Sequence, residues 1–172
     1  MASNVAFEIL YREYYVRVYG LCRRLLRSAP LAEDATQEAF MKAYRRFDSY
    51  DTSQPFWHWM ATIANHHCID VLRRQKTGKE AFFGDEGTEI EELESSDAGA
   101  LSELIEAESA ERLAAAIDEL PDRYRLPLVL AYHSDMTYEQ IAVQLEVSRN
   151  HVGVLILRAK EQLRRRLTGE HA

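Results

Sequence analysis

Apolar residues recur every three or four positions along most of this chain, the spacing that places them on one face of an α-helix. Residues 5–27 carry a broad apolar face with arginines between its members, and a second periodic stretch covers residues 32–47. A turn-rich loop follows over residues 48–55. A third helix is predicted from Phe56 to the basic run 73–76. These patterns predict one small helical unit.

A helix-turn-helix is predicted near the carboxyl end. Thr137 and Gln140 have the spacing of a capping box at the start of a short helix. After a tight turn, Ser148 is placed to cap a long helix that runs to about Leu167. Such a motif offers the first side chains of its second helix to the DNA major groove. The helices predicted before it cover residues 101–120 and 124–132, with Pro127 in the first turn of the latter.

Charge divides the chain into three parts. The net charge is −7, and 47% of the residues are hydrophobic, enough to build cores. Residues 1–79 hold 12 Lys and Arg against 8 Asp and Glu, a balance of +4. Residues 80–111 hold 12 Asp and Glu with no Lys or Arg, and residues 112–172 hold 9 basic against 8 acidic side chains. The acidity therefore belongs to a linker, and the mildly basic ends are compatible with nucleic acid.

Neither a leader nor a bilayer-spanning apolar run is apparent, so we expect a cytoplasmic protein without direct membrane insertion. Cys22 and Cys68 lie in apolar helical contexts without CxxC spacing, which favours reduced, buried thiols over a redox switch. The spacing of His58, His66 and His67 does not form a compact tetrahedral set with Cys68, so no metal site is predicted. No cofactor motif or catalytic motif is present either.

The segments 33–44, 56–64 and 69–74 carry a specific motif, in which the first reads EDATQEAFMKAY. They resemble region 2 of bacterial sigma factors of the sigma-70 family, most of all the extracytoplasmic-function (ECF) group. The resemblance implies that the first of these helices docks on the clamp helices of core RNA polymerase. It implies that the following loop and helix recognise and melt the minus-ten promoter element. The family usually has Asn where this chain has His66.

The segments 120–121, 137–142, 147–152 and 157–163 resemble sigma region 4, which in the family binds the minus-35 duplex and the polymerase flap. This chain departs from the family at Gly153, where a basic residue is usual, and near Leu155, where another is frequent. The run 153–157 is apolar instead, so an alternative interpretation is that this helix mainly packs and touches DNA lightly.

The two tryptophans of the third predicted helix are two residues apart, so one is expected in the core and one at least partly exposed.

Three sets of side chains are predicted to make these contacts with polymerase and promoter DNA. The polymerase-binding stripe is Asp34, Gln37, Glu38, Met41 and Arg45. The minus-ten set is Ser49, Tyr50, Asp51, Trp57, Trp59, His66, His67, Arg73 and Arg74, in which aromatic faces stack bases and cations follow phosphates. The minus-35 set is Thr137, Ser148, Arg149, Asn150, His151, Arg158 and Lys160.

The predicted fold is all-α, with two small helical domains, residues 1–77 and 101–172, joined by an acidic flexible linker over residues 78–100. The predicted function is that of a sigma factor, a non-enzyme with core RNA polymerase, promoter DNA and an anti-sigma factor as partners. One alternative is a sigma-like decoy that binds an anti-sigma factor without initiating transcription. A plain helix-turn-helix repressor is another, although it leaves residues 1–76 unexplained.

Overall fold

The computed structural model describes residues 2–76, 83 and 110–169, and all regular structure within them is helical. This confirms the predicted all-α fold. The predicted linker, apart from Phe83, and the helix start near Leu101 lie outside the described residues. The helices are α1 (Ala2–Leu26), α2 (Ala29–Arg45), a 3-10 turn (Phe47–Ser49), α3 (Phe56–Gln75), α4 (Ala110–Asp118), α5 (Asp122–Tyr132), α6 (Tyr138–Leu145) and α7 (Arg149–Thr168).

The described residues fall into two compact units. Helices α1, α2 and α3 form the first, together with the segment Tyr132–Asp135. The rest of α5 with α4, α6 and α7 forms the second. Because each unit is small, it buries only part of its apolar surface, and single core side chains carry much of its stability.

Three helices pack against one another in the first unit. Ser28 ends the α1–α2 turn as a helix N-cap, where its hydroxyl accepts a hydrogen bond from the Leu31 amide, and Pro30 follows in the first turn. The buried positions of α2 are mostly alanines, which let the neighbouring helices approach closely. The centre of the core consists of Val18, Leu21, Cys22, Leu25, Ala39, Phe40, Met60, Ala64 and Cys68.

The broad apolar face predicted for α1 is only partly buried. Val5 and Ile9 belong to that predicted face, yet they are exposed on the outer side of the helix. Tyr44, predicted to face the core from α2, is half-exposed. A Cβ added at Gly20 would meet no atom within 4 Å, so close packing inside the described residues does not explain this glycine.

Helix caps define the second unit as the sequence predicts. Thr137 and Gln140 form a complete capping box at the start of α6, and the Ser148 hydroxyl accepts a hydrogen bond from the His151 amide at the start of α7. Between them Glu146 adopts the left-handed conformation that closes the turn. The prediction for α5 was wrong at its start: the helix begins at Asp122, which places Pro127 in its second turn.

Candidate nucleic-acid and protein interfaces

The stripe predicted on α2 lies on the surface of the first unit. Four of its members, Asp34, Gln37, Met41 and Arg45, are exposed, and Glu38 is half-buried. Their spacing places them on one side of the helix, away from the alanines that face the core. Met41 is one of several exposed apolar residues of this unit, with 49% of its surface exposed. A single exposed apolar residue is ordinary, whereas contiguous apolar surface is typical of a protein-binding site.

A groove of about 430 Å³ lies beside Met41. The Phe7 ring forms part of it and packs edge-on against Phe40 and Tyr44, at centroid separations of 6.4 and 5.2 Å. Gln37 and Arg45 add an amide and a guanidinium group to its lining. The groove is thus a mainly apolar recess with a few polar groups, suited to an apolar side chain of a partner. Its lining is Phe7, Tyr11, Gln37, Phe40, Met41, Tyr44 and Arg45.

Sequence reasoning missed Phe7 and Tyr11 as parts of this surface. Tyr11 was assigned to the apolar face of α1 and Phe7 was given no role, and both lie about thirty positions before the stripe. Their participation depends on how α1 lies against α2, and no local pattern reports that geometry. Aromatic residues in the first turns of α1 are the signal that the sequence offers.

An aromatic cluster joins the loop after α2 to the first turn of α3. The Trp59 ring lies 5.0 Å from Tyr50 and 5.8 Å from Phe56, measured between centroids. Phe47 stacks on Tyr50 at 6.1 Å. Trp59 and Tyr50 are both half-buried, so each ring has one side in the cluster and another towards solvent. Such a rigid, part-exposed aromatic surface is suited to stacking an unpaired base.

Hydrogen bonds within the loop shape it around this cluster. The Tyr50 hydroxyl donates to the Gln54 carbonyl at 2.5 Å, and the Ser53 amide donates to the Asp51 carboxylate at 2.9 Å. Hydrogen bonding from Ser53 lowers the pKa of the Asp51 carboxyl, so the group stays charged at neutral pH. Ser49, Asp51 and the neighbouring loop residues are exposed, and their polar groups remain accessible to a nucleic-acid strand.

Trp57 does not belong to the part-exposed aromatic surface formed by Tyr50 and Trp59. It is only 5% exposed, stacks on Tyr14 with ring centroids 6.5 Å apart, and is covered by the Arg17 guanidinium at 3.8 Å. Its assignment to base capture is therefore corrected: the ring fills the core and has no face to offer. The prediction of one core tryptophan and one partly exposed tryptophan is confirmed, with Trp59 as the exposed partner.

In the second half of α3, some predicted DNA contacts face solvent and one faces α2. His66 and Arg74 are exposed and Arg73 is half-buried, whereas His67 turns towards α2. There its Nδ1 lies 3.0 Å from Lys42 Nζ, which donates the hydrogen bond when the imidazole is neutral. Burial first, and then the Lys42 charge, lower the pKa of His67. His67 thus connects two helices, in addition to any contact it makes with DNA.

The predicted base-reading residues lie at the start of α7. Arg149 and Asn150 are exposed and His151 is half-buried, while Arg158 is half-buried two turns later. Thr137 and Ser148 are exposed as well, although their hydroxyls already cap helices. Lys160 departs from its predicted role because it is only 6% exposed. Its assignment as a phosphate contact is corrected, since the helix turns that position into the protein.

The apolar run of α7 has a structural explanation. Val152, Leu155 and Ile156 are buried, and they continue into the buried positions Ala159 and Leu163. A helix that packs on the rest of its unit requires such a stripe. The exposed Arg149 and Asn150 precede it, so the packing residues and the predicted DNA contacts lie at different positions of the same helix.

Within the described part of the chain, no group of three or more His, Cys, Asp or Glu side chains is arranged to hold a metal ion. Cys22 and Cys68 are buried free thiols. None of the helices described is both long and apolar enough to cross a bilayer.

Two family patterns match this chain. The pattern of sigma-70 region 2 matches residues 10–77, which include α2, the aromatic loop and α3. The pattern of sigma-70 region 4 matches residues 110–163, which include the helix-turn-helix. The two matches together span both units of the structure.

Individual relatives agree with these matches. The ECF RNA polymerase sigma factor SigW of Bacillus subtilis is 32% identical over 167 residues, covering 94% of this chain and 89% of SigW. Among solved structures, the sigma factor RpoE in complex with the anti-sigma factor NepR from Bartonella quintana aligns with a TM-score of 0.61 at 20% identity, covering 96% of this chain and 99% of RpoE. CnrH in complex with the cytosolic domain of CnrY aligns with a TM-score of 0.56 at 22% identity, covering 98% and 91%.

Proposed function

Because this chain belongs to the sigma-70 family, in its extracytoplasmic-function group, we propose a role for each of its surfaces in promoter-specific initiation by RNA polymerase. A sigma factor binds core polymerase and directs it to promoters.

The stripe on α2 and the groove beside it dock the polymerase clamp helices. The exposed, apolar Met41 carries this proposal, because it borders a recess that an apolar side chain of the clamp would fill. Asp34, Glu38 and Arg45 surround it with charges of both signs, which suits a charged helical partner. A buried apolar anchor with a polar rim is the common arrangement of protein interfaces.

The loop and the first turn of α3 capture bases of the melted minus-ten element. Trp59 and Tyr50 provide the aromatic faces, and His66 with Arg74 provides polar and basic groups farther along α3. Unstacking a base step costs a few kcal/mol, and stacking a base on an aromatic ring returns about 1–3 kcal/mol. Two or three captured bases therefore only balance the cost, so contacts made through polymerase must drive opening.

The first turn of α7 contacts the minus-35 duplex, with Arg149, Asn150 and His151 facing the major groove and Arg158 near the phosphates. The same unit contacts the polymerase flap. This chain supplies recognition alone, and the chemistry of RNA synthesis belongs to polymerase. We place the protein in the cytoplasm, where core polymerase and promoter DNA are found.

An anti-sigma factor is the natural regulator of these surfaces. One aligned structure is a complex of the sigma factor RpoE with the anti-sigma factor NepR, and the other is a complex of CnrH with the cytosolic domain of CnrY. A partner that occupies the groove beside Met41 would exclude polymerase from the same surface, because one apolar recess accepts one anchor.

Binding to core polymerase tests the docking proposal. The double variant Gln37→Ala with Met41→Ala removes one polar lining residue of the groove and the exposed apolar residue without touching the alanine core of α2. We expect binding to weaken about tenfold or more, since the loss of interface anchors costs above 1 kcal/mol and about 1.4 kcal/mol corresponds to a factor of ten. Fluorescence titration of labelled protein with core enzyme measures it.

Val16→Ala is the matched control, because it truncates an exposed apolar residue of the same unit outside the groove. The control should bind as the wild type does. Equal affinity of the double variant and the wild type would disprove the location of the docking surface, although not the membership of the family.

A further inference from the structure

The exposed Arg149 is held by an acidic residue of the preceding helix. Its Nε donates a hydrogen bond to Glu139 Oε1 at 2.5 Å. Both side chains remain accessible, with 51% of Arg149 and 64% of Glu139 exposed. Ion pairs between such exposed groups contribute little to folding, because solvent screens them and two long side chains must be ordered. The pair therefore calls for another explanation than stability.

Because Nε donates this hydrogen bond, the terminal nitrogens of Arg149 can donate to another group. A guanidinium has five N–H groups in a planar fork, and the contact with Glu139 uses the one on Nε. The two terminal nitrogens at the opposite end of the plane keep an end-on pair of donors. Such a pair matches O6 and N7 of guanine in the major groove, the most common specific contact between arginine and DNA.

The Tyr138 ring lies on a second side of the Arg149 guanidinium. The central carbon of the guanidinium is over this ring, 5.8 Å from its centroid, and Tyr138 is adjacent in sequence to Glu139. Backbone hydrogen bonding at the start of α6, and then Arg149 itself, lower the pKa of the Glu139 carboxyl, so it is ionised at neutral pH. The first turn of α6 thus restrains Arg149 by charge and by contact.

We propose that Glu139 is a specificity-determining positioning residue that aims the terminal nitrogens of Arg149 at one guanine of the minus-35 element. This inference rests on the proposed entry of α7 into the major groove. It assigns the reading of that base to the first position of α7 and the aiming of the side chain to a residue that does not touch the base.

The composition of α7 explains why one aimed arginine matters here. Gly153 has no side chain to offer, and Leu155 is buried. Among the described residues of the first turn, Arg149 is the one with a permanent positive charge. Unrestrained, that charge would settle on the nearest phosphate and would carry no sequence information. Held by Glu139, it is presented in a fixed direction.

This role predicts opposite effects on selectivity and on general affinity. Glu139 adds a negative charge near the DNA, so its neutralisation should leave overall DNA binding unchanged or stronger. Base selectivity should fall in the same variant, because Arg149 loses its fixed direction. A residue that merely supported the fold would lower both together.

Transcription from a randomised template tests the proposal. A genomic promoter is first identified by run-off transcription with core polymerase, and its upstream element is then randomised and the transcripts sequenced. For the full-length wild-type chain with core enzyme, we expect guanine to be enriched at one position, and Arg149→Ala should abolish that enrichment. Glu139→Gln should reduce it roughly tenfold, within the range of discrimination that a bidentate arginine provides, while the total transcript yield is maintained.

Glu161→Gln is the control, since it neutralises another exposed acid of the same unit, on α7 itself. It should leave the enrichment intact. Unchanged guanine enrichment in Glu139→Gln would overturn the positioning role, and so would wild-type transcription without any guanine preference that depends on Arg149. If the wild-type chain does not initiate transcription with core enzyme at all, the proposed function fails, and this inference fails with it.

Discussion

The two units of this protein present their functional side chains in different ways. In the first unit, the stripe on α2 lies on the surface, and the half-buried rings of Tyr50 and Trp59 lie between the core and solvent. In the second, Thr137 and Ser148 cap helices and Arg149 pairs with Glu139, so the predicted DNA contacts are also parts of the local structure.

Exposed side chains therefore have different roles in the two units. An exposed side chain of the first unit is available to a partner, and its removal should affect function more than folding. In the proposed function, an exposed side chain at a cap of the second unit both caps a helix and contacts DNA, and its removal should affect both. Substitutions that separate the two purposes are therefore the sharpest tests of the comparison.

The largest effect is expected inside the first unit, between its two tryptophans. Trp57→Ala empties a buried position, and such truncations cost about 3–5 kcal/mol, a large part of a stability on the order of 5–15 kcal/mol. Trp59→Ala should cost less, because its ring is partly solvated, but it should lower promoter opening. Urea unfolding followed by fluorescence measures the stability of both variants, since the remaining tryptophan reports on the first unit in each of them.

Trp57→Phe is the control, because it keeps most of the buried volume and should lose less stability than Trp57→Ala. Equal stability of the two alanine variants would contradict the burial difference between Trp57 and Trp59.

A smaller effect is expected at the cap of α7. Ser148→Ala should destabilise the protein by about 1 kcal/mol, because the His151 amide loses its acceptor. Ser148→Asp keeps a capping oxygen and should preserve stability, yet its charge should repel phosphates and lower transcription. Thermal unfolding followed by circular dichroism gives the first quantity, and run-off transcription gives the second. If Ser148→Asp transcribes as well as the wild type, Ser148 is a cap and not a DNA contact.

The smallest effect concerns pH and the contact between Lys42 and His67. The pKa of His67 is lower in the folded protein than its ordinary value of 6.5, so below that value the unfolded chain binds more protons than the folded chain. Stability is therefore fully present above pH 6.5 and decreases as the pH falls towards the folded pKa. The urea midpoint, followed by tryptophan fluorescence, should shift downwards between about pH 7.5 and about pH 5.5.

His67→Gln should reduce this pH dependence, because glutamine does not titrate. The same substitution at His58, an exposed position of α3, serves as the control and should leave the dependence as it is. A pH profile that His67→Gln does not alter would show that other groups cause the loss of stability.

Much of the architecture follows from the sequence because its signals are local. Helix starts at Ser28, Thr137 and Ser148 depend on groups three residues apart, and the capping box of α6 appears as predicted. Helical spacing identified the mixed-charge stripe of α2, and the two-residue separation of the tryptophans required them to differ in burial. Short-range geometry of this kind is nearly independent of the rest of the chain.

The tertiary structure decided what depends on the rotation and contact of whole helices. In the folded protein Trp57 lies in the core, Trp59 is partly exposed and Lys160 is buried. The tertiary structure also brought Phe7 beside Met41, His67 beside Lys42 and Glu139 beside Arg149. These pairs join residues 10 to 34 positions apart, a span over which the direction of a side chain is set by packing between helices and not by its neighbours in sequence.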